Sequence, residues 1–407
     1  MNLLSSRPGR GILAFSFYFA EGAPIGFIWW AMPTLLRKEG IEIDTIAAFT
    51  ATLTLPWVFK FLWAPLVDMF RNSRFGYTGW IAIAQSLMCL TLLPLVFIPI
   101  QNNLLTWQLL LFANSICAAT QDVSVDALVI NVISHEEKGI LNGYMQAGML
   151  VGRSLFGGGA IYIALQFGLH AAVGLMILAI LITMILLFFI REPALVISKK
   201  NRFKEFRDNF RETFSAKRTW FTIAFALTSA AAFEAAGAMS GPFLTDQNIS
   251  TESISFFFGI VVVVAMLAGS ITGGYLSDKI SRKKSVAFFL LGIVLMVTVI
   301  AFTALLNINA GAMTWMILFA LLYLFTGMFT ASSYAFYMDV TNPRLSATEF
   351  STFMAATNGC ESWVVWSAGL IASSNGYSYA FLTMCIVSLL SLVFLRINRE
   401  ILTPVKS

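Results

Sequence analysis

The sequence is poor in charge, cysteine and histidine. Only 12% of its 407 residues are charged, whereas a soluble domain carries about 25%, so a water-exposed globular surface is excluded. The four cysteines are unclustered and lie inside apolar runs, and two histidines are too few to suggest a metal centre. A disulfide framework and a zinc site are therefore not expected. The motifs H-E-x-x-H and G-x-S-x-G are also missing, so we expect no metal, no cofactor and no enzyme activity.

Long apolar runs take the place of these features. Apolar residues make up 58% of the chain, and the mean hydropathy is +0.79. An apolar segment of about 20 residues can cross a bilayer as a helix, and the alternating polarity of membrane barrel strands is missing. Twelve spans are predicted, at residues 11–36, 45–67, 79–100, 106–132, 140–166, 170–190, 219–244, 253–276, 286–306, 312–338, 348–373 and 378–396.

Basic residues lie almost entirely on one side of these spans. Of the 26 Lys and Arg residues, 22 fall on the side of the two termini, nine of them between residues 191 and 218. Only Arg37 and Lys38 fall on the other side. Basic loops stay in the cytoplasm, so both termini are predicted to be cytoplasmic. The net charge of +5 then reflects topology, and no nucleic-acid partner is expected.

The two halves of the chain resemble each other at an offset of 208 residues. Trp107 corresponds to Trp315 (315 − 107 = 208) and Ala127 to Ala335 (335 − 127 = 208). Internal repeats in an apolar chain are typical of transporters built from two similar halves with a site between them. We predict a six-helix bundle at 1–190, a basic cytoplasmic linker at 191–218 and a second six-helix bundle at 219–407.

A motif with a glycine, an aspartate and basic residues follows the eighth predicted span. Residues 274–282 read GYLSDKISR, and a weaker copy at residues 64–71 reads APLVDMFR. The Gly is expected to permit close helix contact, and the Asp to cap the next helix and pair with an Arg. This arrangement predicts a cytoplasmic gate. Its residues are Asp68, Arg71, Gly274, Asp278, Arg282 and Asp339.

This motif and the twelve spans resemble the Major Facilitator Superfamily, and three segments resemble its AmpG-type branch. They are FKFLWAPLVD at 59–68, TQDVSVDA at 120–127 and EEKG at 136–139, where that branch reads F-K-F-L-W-x-P-L-x-D, S-Q-D-x-x-x-D-A and E-E-R-G. The resemblance covers spans one to five well and the C-terminal half generally. It implies an all-α membrane protein whose twelve transmembrane helices form two six-helix pseudo-repeat bundles.

The AmpG-type branch includes anhydromuropeptide permeases, siderophore permeases and acetyl-CoA transporters. The resemblance therefore implies proton-driven uptake of a bulky polar solute, best an anhydromuropeptide, across the bacterial inner membrane. AmpG proteins often carry extra C-terminal spans that this sequence lacks, which keeps a siderophore importer as an alternative. An efflux pump is less favoured because the central Arg153 suits an anionic or zwitterionic solute. A receptor and a membrane enzyme are disfavoured. The expected partners are that small-molecule solute and the lipid bilayer, and the expected state is a monomer.

Ionisable side chains inside spans identify the candidate site. Each costs about 2.5–3.5 kcal/mol at mid-membrane and indicates function by default. Asp122 and Asp126 share one face of the fourth span because they are four residues apart. A carboxyl group in low dielectric favours its protonated form. The predicted proton-coupling residues are Glu21, Asp122, Glu234 and Glu361.

Arg153 leads the predicted substrate-binding residues because its forked donors suit a carboxylate or a phosphate. Lys60 lies at a depth similar to Asp122 and is its expected counter-ion, and for Lys60 and Asp126 a structural ion pair is an equal alternative. Neutral amides suit sugar or amide recognition, although each could equally bridge helices. The remaining substrate-binding candidates are Gln121, Gln146, Asn358 and Trp363. Protonation is expected to release a carboxylate–Arg pair, so that the halves rock and expose the site inward.

Overall fold

Each predicted span overlaps a helix in the computed structural model. The described residues are 2–69, 76–132, 138–192, 207, 211, 214–215, 217–306, 310–340 and 346–401. Within these ranges there is no strand, as expected where backbone polar groups must be satisfied inside each segment. The first six helices are α1 (Arg7–Gly26, a π-helical turn Phe27–Ala31 and Met32–Lys38), α2 (Ile43–Met69), α3 (Tyr77–Leu92), α4 (Leu104–Val132), α5 (Lys138–Phe156 and Gly158–Phe167) and α6 (Leu169–Ile185).

The second half contributes six more helices in the described residues. They are α7 (Lys217–Ser229 and Ala231–Asp246), α8 (Thr251–Phe256, a π-helical turn Phe257–Val261 and Val262–Ile280), α9 (Arg282–Leu305), α10 (Ala312–Val340), α11 (Ser346–Asn375) and α12 (Tyr377–Ile401). Ten of the twelve are long and apolar enough to cross a membrane within the described residues. The other two, α4 and α11, are 29 and 30 residues long and carry the candidate charges Asp122, Asp126 and Glu361. The predicted all-α, twelve-helix fold is confirmed.

The 208-residue repeat is a repeat of structure as well as of sequence. Helices α4 and α10 are both 29 residues long and begin 208 residues apart (312 − 104 = 208). Trp107 and Trp315, near their first turns, are both buried. Gly168 and Gly376 (376 − 168 = 208) have φ values of +86° and +91°, a region that glycine enters without steric cost. The corresponding helices α5 and α11 are therefore each followed by a glycine with positive φ.

The chain divides into two compact units, which are described separately. Unit one consists of Met1–Leu36, Thr52–Ser198 and Ser250–Ile260, and unit two of Arg37–Ala51, Lys199–Ile249 and Val261–Ser407. In unit one the Ser255 hydroxyl donates to the Gly158 carbonyl over 2.7 Å. In unit two Ala47 and Val365 share an apolar cluster. Most of the predicted linker 191–218 lies outside the described residues, so the predicted domain boundaries stay a prediction.

Helices α1 and α5 of unit one pack backbone to backbone. A Cβ at Gly22 would overlap the Met149 carbonyl, and a Cβ at Gly148 would overlap the Phe15 carbonyl. Small residues at a helix interface allow this approach. The packing sets the distance between Glu21 on α1 and Arg153 on α5.

Candidate functional site

A cluster of ionisable side chains lies inside unit one, on helices α1, α2, α4 and α5. The Lys60 ammonium forms an ion pair with Oδ2 of Asp122, so the expected counter-ion is confirmed. The Tyr18 hydroxyl donates a hydrogen bond to Oδ1 of Asp126. Glu21, one turn after Tyr18 on α1, is the third carboxylate of the cluster. We call Tyr18, Glu21, Lys60, Asp122, Asp126 and Arg153 the unit-one charge cluster.

Glu21 is the carboxylate of the cluster with the fewest partners. Its residue is only 3% exposed, and Oε2 has no hydrogen-bond partner among the described residues. Asp122, Asp126, Lys60 and Arg153 all act on it electrostatically. Buried polar atoms are nearly always hydrogen-bonded, so an unpaired buried carboxylate oxygen is a candidate position for a proton.

Arg153 lies on α5 with its guanidinium over an aromatic ring. The guanidinium carbon is 5.5 Å from the centroid of the Trp29 ring, within cation–π range. Its Nε atom is buried and has no hydrogen-bond partner in the described part of the chain. The Arg153 fork therefore retains donor capacity that an anionic group could use.

The two glutamines predicted for substrate binding occupy different environments. Gln121 is fully buried, and its Nε2 donates to the Phe17 carbonyl over 2.9 Å. Its amide therefore bridges α4 to α1, which was the alternative role. Gln146 on α5 is exposed.

Unit two holds the other predicted site residues. Glu234 on α7 and Glu361 on α11 both act electrostatically on the buried Cys360 thiol, so the two carboxylates lie in one neighbourhood. Trp363 Nε1 donates to the Leu227 carbonyl over 2.9 Å, which anchors its ring to α7. The Asn358 carbonyl accepts from the Ser362 hydroxyl over 3.3 Å.

One ion pair of the predicted gate falls within the described residues. Arg282 Nε lies 2.6 Å from Oδ2 of Asp339, and both side chains are partly exposed. Arg71 and the side chains of Asp68 and Asp278 lie outside the described residues.

The expectation that Gly274 permits close helix contact is wrong. A Cβ at Gly274 would meet no atom within 4 Å, whereas a Cβ at Gly273 would overlap the Met328 backbone on α10. The motif glycine is therefore one helical position away from the residue that makes the contact. A spacing pattern does not distinguish these neighbours, because only the facing helix determines which of them is covered.

Two groups of polar residues were not predicted. Tyr18 lies three residues before Glu21, a spacing that places both on one face of α1, and this is the signal that could have identified it. In unit two, Arg37 forms a bidentate pair with Asp246, with Nε–Oδ1 and Nη2–Oδ2 distances of 2.8 Å. Tyr377 also donates to Oδ2 of Asp246 over 2.7 Å. No pattern in the sequence indicated this pair, because its members lie on different helices.

Comparison with known proteins agrees with this architecture. The family model described as Major Facilitator Superfamily matches residues 11–360 and, again, residues 235–406. The putative transporter AmpG 4 of Rickettsia felis is 25% identical over 399 residues, which cover 94% of each chain. The anhydromuropeptide permease of Escherichia coli is 29% identical over 147 residues, which cover 36% of this chain and 30% of that protein. The expected resemblance to the AmpG-type branch is confirmed by these relatives.

Solved structures agree on the fold. A bacterial homologue of the human lysosomal transporter Spinster, in an inward-facing and unoccupied conformation, has a TM-score of 0.74 at 14% identity and covers 97% of this chain and 98% of that one. A D-xylose–proton symporter has a TM-score of 0.76 at 12% identity, with coverage of 94% and 96%. Likeness at these identities concerns the fold alone. From the family match over most of its length, the chain belongs to the Major Facilitator Superfamily and is a membrane transporter.

Proposed function

We propose that this transporter imports anhydromuropeptides across the bacterial inner membrane, driven by the proton gradient and working by alternating access. The observation that carries the proposal is the unit-one charge cluster, which lies on α4 and on three helices, α1, α2 and α5, that are long and apolar enough to cross a membrane. Such groups are expensive in a bilayer and are placed there for ion or solute pathways. The choice of cargo is supported by the similarity to the anhydromuropeptide permease of Escherichia coli.

Proton coupling is supported by the charges of the cluster. Three carboxyl groups, those of Glu21, Asp122 and Asp126, face two cations, Lys60 and Arg153. If all five are ionised, one negative charge remains in a region where net charge is costly. One proton would neutralise it, so loading and unloading a proton would change how strongly the cluster holds Arg153.

An anionic cargo is supported by Arg153. An anhydromuropeptide carries peptide carboxylates, amides and sugar hydroxyls, and an Arg fork binds carboxylates with two parallel hydrogen bonds. Trp29 beside the guanidinium offers a flat apolar face on which a sugar ring can lie. Arg153 would thus be the cargo-binding cation, while Lys60 is already paired with Asp122.

The direction of transport rests on the predicted topology. The distribution of Lys and Arg favours cytoplasmic termini. Arg282 and Asp339 would then lie at the cytoplasmic end of unit two, where they could hold a gate closed and open it when the pair separates.

Uptake into vesicles tests the function. Right-side-out vesicles containing the full chain would be given an acid-outside proton gradient and radiolabelled anhydromuropeptide. Wild type, Glu21→Gln and Arg153→Ala would be compared with the matched control Glu252→Gln, which changes an exposed carboxylate outside the site. We expect gradient-driven uptake by wild type and control, and at least about tenfold loss in the two site variants.

Two results would contradict the proposal. Uptake that is equal with and without the proton gradient would exclude proton coupling, even if anhydromuropeptide is the cargo. An intact wild-type protein that takes up no anhydromuropeptide would exclude the cargo, and a ferric siderophore, the other solute class implied for this branch, would then be supplied to the same vesicles.

A further inference from the structure

We propose that the unit-one charge cluster carries a single transported proton, that Glu21 holds it, and that Tyr18 and Lys60 keep it there by holding both aspartates as anions. The inference rests on the proposed proton-coupled function and deepens it. It assigns one proton to this unit. Asp122, which the sequence predicted to be a proton-coupling residue, is instead assigned a constant negative charge. It also gives Tyr18 a positioning role.

Asp122 has a direct partner of opposite charge. Its side chain is almost fully buried, and the Lys60 ammonium contacts Oδ2 directly. A buried carboxylate with a contacting ammonium is stabilised as an anion, and removing its charge would leave the ammonium buried alone. A proton on Asp122 is therefore disfavoured for as long as Lys60 stays charged.

Asp126 is held by a different donor. The Tyr18 phenol reaches across from α1 and donates to Oδ1 of Asp126. A phenol O–H bonded to a carboxylate stabilises the charged carboxylate. Asp126 lies one helical turn from Asp122 on α4, so the two anions share the field of Lys60, which acts on both.

Among the described residues, Glu21 has neither a contacting ammonium like that of Asp122 nor a hydroxyl donor like that of Asp126. Its Oε2 is buried without a hydrogen-bond partner in the described residues, and the groups acting on it are Asp122, Lys60, Asp126 and Arg153. With both aspartates held as anions by direct partners, their two charges balance those of Lys60 and Arg153, and ionisation of Glu21 would then leave the cluster with one net negative charge.

Tyr18 determines which carboxyl takes the proton. It lies three residues before Glu21 on the same face of α1, yet its hydroxyl points to Asp126. Without that donor, Asp126 and Glu21 would both be carboxyls lacking a direct donor, and they would compete for one proton. The proton would then be shared between two helices instead of being held on α1.

Infrared difference spectroscopy can locate the proton without any cargo. The full chain in lipid nanodiscs would be labelled with a heavy carbon isotope in the carboxyl group of glutamate or, separately, of aspartate. The carbonyl stretch of a protonated carboxyl would be recorded as the pH is changed, in water and in heavy water. The variants are Glu21→Gln and Tyr18→Phe, with Glu252→Gln and Tyr162→Phe as exposed matched controls.

In wild type we expect the buried protonated band to shift with labelled glutamate and not with labelled aspartate, and to disappear in Glu21→Gln. In Tyr18→Phe part of the band should shift with labelled aspartate, and adding Asp126→Asn should remove that part. A loss of packing alone would not move the band from one label to the other. Both control variants should keep the wild-type spectrum.

A band that follows labelled aspartate in wild type, a second protonated carboxyl on Asp122 or Asp126, or no change of label in Tyr18→Phe would each overturn the inference. Because isotope labelling leaves the wild-type sequence intact, a variant that fails to fold does not remove the test. The result is also separable from the vesicle assay. A band on Glu21 without muropeptide uptake contradicts the cargo only, whereas gradient-driven uptake with the proton on an aspartate contradicts this inference only.

Discussion

Replacing Gly148 by alanine should destabilise the protein, although alanine is the better helix former. Gly148 lies in the α5 helix against α1, where an added Cβ would be 2.8 Å from the carbonyl carbon of Phe15 and 3.0 Å from its Cα. Ordinary contacts of this kind are 3.5–4.0 Å (about the optimal carbon–carbon separation). The obstacle is backbone, which cannot rotate away as a side chain can. The helices would therefore have to separate.

The magnitude follows from two opposing effects. Overpacking a close-fitting interface costs about 1–3 kcal/mol. Alanine in a helix interior is more stable than glycine by up to about 1 kcal/mol, because it loses less backbone entropy on folding. We expect a net loss of about 1–2 kcal/mol in the free energy of unfolding. Gly174, inside α6, is the matched control because a Cβ there would meet no atom within 4 Å. Gly174→Ala should be unchanged or more stable by up to about 1 kcal/mol.

The free energy of unfolding would be measured by titrating the purified protein from mild detergent into SDS, with the fluorescence of its ten tryptophans as the signal. The reasoning is refuted if Gly148→Ala is as stable as wild type, or if the two alanine variants lose the same amount. Because α5 carries Arg153 and α1 carries Glu21, the first variant should also reduce solute uptake, while Gly174→Ala should not.

Three further predictions concern the polar contacts. Lys60→Met leaves Asp122 as a buried unpaired charge and should lower the free energy of unfolding by about 3–5 kcal/mol. The double variant Lys60→Met with Asp122→Asn should recover most of that loss. Strictly additive losses in this double-mutant cycle would contradict a direct pair. Gln121→Leu should cost about 1–3 kcal/mol because a buried α1 carbonyl loses its donor, and an unchanged unfolding midpoint in SDS would argue against the bridge. Asp339→Asn should change stability by less than about 1 kcal/mol because its pair with Arg282 is partly exposed; a loss above about 2 kcal/mol would mean that the pair is not simply a surface contact.

Span positions were predictable because membrane crossing is a local property of the sequence. The span predicted at 312–338 is the helix Ala312–Val340, and the span predicted at 106–132 is the helix Leu104–Val132. A bilayer admits only segments that satisfy their own backbone hydrogen bonds, so a run of about 20 apolar residues is expected to form a membrane-spanning helix. The 208-residue offset likewise appears in both the sequence and the helix boundaries.

Breaks inside the spans were not predictable. The predicted span 219–244 is interrupted between Ser229 and Ala231, where Ser388 of α12 intervenes. Its hydroxyl accepts from the Ala232 amide over 2.8 Å and donates to the Ser229 carbonyl over 3.0 Å. A side chain from a distant helix thus replaces helical hydrogen bonds at the break. A local sequence pattern cannot predict this replacement of helical hydrogen bonds, because the partner is more than 150 residues away along the chain.

The sequence by itself determined the fold class, the twelve spans, the repeat and the identity of the costly charges, because each depends on residue type and on spacing along one chain segment. It also determined that Asp122 and Asp126 share a face. Their partners depend on helix packing, because Lys60 is 62 residues away along the chain and Tyr18 is 108 residues away. Glu21 was left without such a partner for the same reason. Ion pairs and hydrogen bonds act over a few ångströms, and which side chains come that close is set by how the helices pack.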